Sequence, residues 1–148
     1  MQEFRKAPYT LYSVVLLNLC LCFFGFSVTF VKMTTEWGKV TLCTLWILMF
    51  FLSSGNQGFV WNNPFTIWGD RAVASAILVI YSYFYWNTME WWHWTSGIMA
   101  LLGYTIIGTV YRDQLKVYQY VNLVNIWHAW IMIQLFLVPY SIPEGPLF

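Results

Sequence analysis

The chain has 148 residues, of which 59% are hydrophobic, 22% aromatic and only 9% charged, and its seven basic and six acidic side chains leave a net charge of +1. A soluble domain carries about 25% charged residues, so a chain this poor in charge cannot cover a water-facing surface. Seven basic residues scattered over several segments make no phosphate-binding stripe, which sets nucleic acid aside as a partner. The implied fold class is an all-α integral membrane protein.

Apolar stretches cover residues 9–31, 40–55, 72–88, 91–111 and 121–139, and the charged side chains fall between them. A hydrocarbon core of ~30 Å needs about 20 helical residues at 1.5 Å each. The first, fourth and fifth stretches meet that need directly. The second and third reach it only if Ser53 to Phe59 and Asn87 to Met89 continue their helices. A single transmembrane domain of about five helices is expected, with four as the alternative. With five, Arg5, Lys6, Arg71, Arg112 and Lys116 share one side while Lys32 and Lys39 lie on the other. That bias puts the N-terminus on the positive-inside face and the C-terminus opposite.

The basic head before the first stretch resembles the start of a signal peptide, but the apolar run is too long and no small-x-small cleavage pattern follows, so a retained signal-anchor is expected. No Asn-x-Ser/Thr acceptor occurs. The first span carries Phe23, Phe24, Phe26 and Phe30 on all sides and looks suited to lipid or a larger partner. Cys20 and Cys22 lie roughly 200° apart around a helix and Cys43 falls in the second span, so neither a redox pair nor a thiolate metal cluster is implied. The segment 56–70 reads as a polar-aromatic loop lying along the interface or against a partner.

Small residues mark where helices approach, because lipid tails give no hydrophobic reason to associate. Ala72 and Ala76 on the third span and Ser96, Ala100 and Gly103 on the fourth predict a tight hairpin that forms the structural centre. Tryptophans and tyrosines gather at both predicted interfaces as anchoring belts, Trp37, Trp86, Trp91, Trp92 and Trp94 at one and Tyr9, Tyr12, Trp61, Trp68, Tyr111, Tyr118 and Tyr120 at the other.

Candidate chemistry reduces to His93 and His128. An ionisable side chain inside a membrane is a functional hypothesis by default. His93 falls near the outer face and His128 roughly 10 Å in from the inner one, which separates them by roughly 17 Å and excludes a shared bis-His haem or dinuclear metal site within one chain. Asn125, His128 and Gln134 are expected either as an interhelical polar cluster or, with His128 foremost and His93 a remote second, as a contact for a haem, pigment or quinone completed by another subunit. The carboxylates Glu3, Glu36, Asp70, Glu90, Asp113 and Glu144 all read as loop or tail residues, so proton-coupled transport lacks its usual ligands. Nor does any nucleophile find an orienting base and acid, which argues against an independent enzyme. The proline-rich residues 140–148 predict an extended tail able to lie across another subunit.

Asn125-Ile126-Trp127-His128-Ala129-Trp130, followed by Gln134-Leu135-Phe136 and Val138-Pro139, resembles a helix of the C subunits of copper-dependent membrane monooxygenases. The resemblance covers residues 125–139 alone. It implies association with an oxidoreductase, but not the copper site, because the positions of that family's Asn and second His ligands are here Val124 and Ile142. The function expected is therefore that of a non-catalytic accessory subunit of a membrane complex, most plausibly an electron-transfer or oxidoreductase assembly in an energy-transducing membrane: mitochondrial inner, bacterial or archaeal plasma, or thylakoid. A cofactor-holding anchor is the alternative.

Overall fold

A computed structural model describes residues 12–59, 63–86, 89–106 and 116–140. The described residues form α1 (Tyr12–Lys32), α2 (Glu36–Ser53), a π-turn (Ser54–Gly58), α3 (Pro64–Tyr85), α4 (Trp91–Thr105) and α5 (Val117–Tyr140), with no strand. The head with Arg5 and Lys6, the segment with Arg112 and Asp113, and the expected tail beyond Tyr140 lie outside them.

Two segments, α1 and the 23 residues Glu36–Gly58, are long and apolar enough to cross a membrane. The second reaches that length because α2 runs on through Ser53 as the π-turn instead of stopping. The third stretch grows in the other direction. Asn63 caps α3, its side chain accepting the Phe65 N–H at 2.9 Å, and Pro64 takes the first helical position, where a missing N–H costs nothing. Residues 64–70 of the expected 56–70 loop are therefore helix. At α4, the Glu90 N–H donates to His93 Nδ1 at 3.0 Å and closes the first turn.

The centre of the molecule is α1, α2 and α3, not a hairpin of the third and fourth spans. Helix α2 packs between α1 and α3, while α5 packs on α1 and α4. Glycines decide where the backbones approach. A Cβ on Gly25 would run into the Trp46 ring, one on Gly58 into Val15, and one on Gly38 would come within 2.6 Å of Phe84. Ala72 is exposed and a Cβ on Gly103 would meet only open space, so these two positions of the small-residue face expected to join α3 to α4 pack against nothing among the described residues. Wide aromatics seated over glycine give more contact area than small residues facing one another.

Leu21, Leu42, Trp46, Met49, Ile77, Tyr81, Phe84 and Tyr85 fill the centre. Helix α1, expected to suit lipid or a larger partner, buries one face and turns Phe23 and Phe30 outward. Large apolar side chains are exposed on all five helices: Leu16, Phe51, Val79, Met99 and Ile126 are examples. Trp37, Trp68, Trp86, Trp91 and Tyr118 are exposed near helix ends, whereas Tyr120, expected in the same belts, is buried.

Candidate functional site

The face of α3 that turns inward carries Thr66, Asp70, Ile77, Tyr81 and Phe84, the four- and seven-residue spacing of one helical stripe. Asp70 thus sits in the packed interior, 2% exposed, and not in a loop with the other carboxylates. The π-turn faces it. Its wider i→i+5 winding presents Asn56 and Gln57 together, and both amides donate to Asp70 Oδ2, Asn56 Nδ2 at 2.8 Å and Gln57 Nε2 at 3.3 Å. The other carboxylate oxygen, Oδ1, has no hydrogen-bond partner. Beside the carboxylate lies Ser53, fully buried at the end of α2, its hydroxyl turned toward Asp70 as a further donor though outside good hydrogen-bond geometry. Arg71, next in the chain, turns its guanidinium over the Trp68 ring at 5.4 Å.

Asn18 extends this polar layer to α1. Its amide donates to Ser54 Oγ at 2.9 Å and to the Phe50 carbonyl at 3.3 Å, while its oxygen faces Cys22 Sγ at 3.6 Å. A second polar junction lies further along the same three helices. Thr29 Oγ1 and Tyr81 Oη are 2.7 Å apart, and Trp46 Nε1 donates to Thr29 at 3.2 Å. Polar groups of this kind tie helices together wherever water cannot compete for them.

The polar residues anticipated on α5 do not join into one cluster. Asn125 Nδ2 reaches Ser13 Oγ on α1 at 3.4 Å, but its own oxygen, the Gln134 side-chain oxygen and both ring nitrogens of His128 lack hydrogen bonds. Helix geometry explains the separation, because Gln134 stands roughly 240° around α5 from His128. His128 is fully buried, with Trp127 at 5.2 Å between ring centroids. His93 belongs to a different setting at the start of α4, bonded to the Glu90 backbone and stacked on Trp92 at 3.5 Å, with Trp92 Nε1 donating to the Glu90 carboxylate at 2.7 Å. Ser96 Oγ is buried without a partner. No group of three or more His, Cys, Asp or Glu gathers as a metal site among the described residues.

No protein-family model, curated protein or solved structure matches the chain. The Asp70 layer is hidden in the sequence because segment 56–70, with three Asn, two Gly and a Pro among its aromatics, reads as a polar-aromatic loop. The one signal that would have found it is Asn63-Pro64, a cap followed by a first-turn proline, which starts a helix early enough to put Thr66 and Asp70 on its inner face.

Proposed function

We propose that this chain is a non-catalytic subunit of a larger membrane assembly, an electron-transfer or oxidoreductase complex, with all five helices in the bilayer and the N-terminus on the positive-inside face. The observation that carries the reading is the apolar surface. Large hydrophobic side chains are exposed on every helix, and on α4 Ile98, Met99 and Leu102 flank glycines that meet nothing. Contiguous apolar surface of this extent belongs against lipid or another protein. The test is to solubilise the native energy-transducing membrane gently and record the mass, subunit list and redox difference spectrum of the particle holding this chain. A large particle with several partners is expected, and a colourless monomer overturns the reading.

A second reading, a membrane anchor that holds a haem, pigment or quinone through His128, draws on one observation. The imidazole is fully buried with both nitrogens unpartnered, an arrangement that leaves two polar groups seeking a partner. A visible absorption band lost on His128→Ala would favour this reading. A colourless particle would remove haem and pigment from it.

A further inference from the structure

The geometry points to a binding site for one anionic phospholipid on the outward face of α3, its phosphate held by Arg71 and an acyl chain laid along the helix below. The inward stripe of α3 runs through Thr66, Asp70, Ile77, Tyr81 and Phe84. Arg71 is turned about 100° from Asp70, and its neighbours on the outer side, Phe65, Trp68, Ala72 and Ser75, are exposed. Its guanidinium lies over the Trp68 ring at 5.4 Å and makes no hydrogen bond or ion pair among the described residues. The adjacent Asp70 carboxylate acts on it only through space. That carboxylate turns inward to the Asn56 and Gln57 amides, and consecutive helix positions do not face each other.

A guanidinium stays charged at any depth and carries five N–H donors. The Trp68 ring covers its flat face, so the donors around its edge remain to be filled, and the fork they form matches the oxygens of a phosphate. Arg71 stands roughly 12 Å along α3 from Asn63, and its charge lies over Trp68, about one turn nearer that end. In a bilayer that is below the headgroups but within reach of a phosphate drawn down to it, with the side chain snorkelling and the bilayer thinning locally. One unmatched positive charge is neutralised by a lipid with a single net negative charge, whereas a zwitterionic lipid brings its own cation to the same phosphate. Ala72 and Ser75, next along the outer side toward the bilayer centre, keep the helix surface low enough for a chain to lie against it. This site rests on the reading that α3 crosses the bilayer and does not involve His128.

The test reconstitutes the full-length protein in vesicles of equal phosphatidylcholine and phosphatidylglycerol, floats them on a density gradient, and releases the protein into detergent for native mass spectrometry. One retained phosphatidylglycerol per chain is expected, favoured over phosphatidylcholine by about tenfold, the size of effect for a hydrogen bond to a charged group. Arg71→Gln should lose most of that preference, and Arg71→Lys, which keeps the charge but not the fork, part of it. Lys116→Gln, at the same end of the bundle, should leave it unchanged. Equal retention of the two lipids by the unaltered protein overturns the proposal. So does an undiminished preference in Arg71→Gln, or an equal drop in Lys116→Gln, which marks diffuse surface charge. Inorganic phosphate added to the released protein should displace no lipid; displacement marks a soluble-anion site and overturns the lipid assignment. Unaltered protein that fails to float with the vesicles overturns the membrane reading and the site together, whereas protein that floats without a lipid preference overturns the site alone.

Discussion

Thr29 carries more of the three-helix junction than its size suggests, because the Tyr81 hydroxyl and the Trp46 indole N–H converge on one oxygen. Removing that oxygen while keeping the shape, as in Thr29→Val, strands two buried polar groups, each costing about 1–3 kcal/mol. The expected result is a clear drop in the denaturant midpoint of the purified chain, largely restored by Thr29→Ser. His128 predicts the opposite sign. With neither nitrogen bonded, exchanging the imidazole for an apolar side chain removes two unsatisfied groups, so His128→Leu should leave the isolated chain as stable or about 1 kcal/mol more stable in the same titration. A large loss would mean that the ring has partners in the purified state. The sequence made His128 conspicuous and Asp70 inconspicuous for one reason. A histidine between tryptophans stands out in an apolar run, whereas a carboxylate at the edge of a polar segment reads as solvated until the helix start at Asn63-Pro64 is recognised. Thr29, Trp46 and Tyr81, in turn, come from three different helices, and no local pattern announces their meeting.

At the scale of the elements, the apolar stretches marked all five helices, yet which helix packs on which followed from positions that composition ranks alike. Gly25 and Gly97 are both helix-interior glycines. Gly25 lies under the Trp46 ring with no room for a methyl group, while Gly97 has nothing within reach. Gly25→Ala is accordingly expected to force α1 and α2 apart at a cost of about 1–3 kcal/mol, the range for overpacking a well-filled contact. Gly97→Ala should stabilise α4 by up to about 1 kcal/mol through helix propensity. Paired unfolding titrations check the difference in sign, and equal effects would mean that α1 and α2 are not in the contact described. The same reasoning explains the failure of the small-residue rule for α3 and α4. Small residues permit close approach, but the partner must supply surface to fill it, and here the aromatic rings of α2 and α3 supply it at Gly25 and Gly38.

For the whole molecule, the contacts fix relative direction. Ser13 at the start of α1 meets Asn125 in the first half of α5, Val15 meets Gly58 at the end of the π-turn, and Gly38 at the start of α2 meets Phe84 at the end of α3. Helices α1, α3 and α5 therefore begin at one end of the bundle, and α2 begins at the other. If the bundle lies across a bilayer, Thr35 and Glu90 emerge on one face and Asn63 and Lys116 on the opposite one, with Lys32 and Lys39 near the first face and Arg71 nearer the second. Single cysteines placed at Thr35, Asn63, Glu90 and Lys116 in a background lacking Cys20, Cys22 and Cys43 test this directly. A membrane-impermeant thiol reagent applied to sealed vesicles should label Thr35→Cys and Glu90→Cys from one side and Asn63→Cys and Lys116→Cys only from the other. Labelling of Glu90→Cys and Lys116→Cys from the same side would mean that α4, at fifteen residues the shortest of the five, does not cross, leaving a four-span bundle whose C-terminus shares the face of its N-terminus.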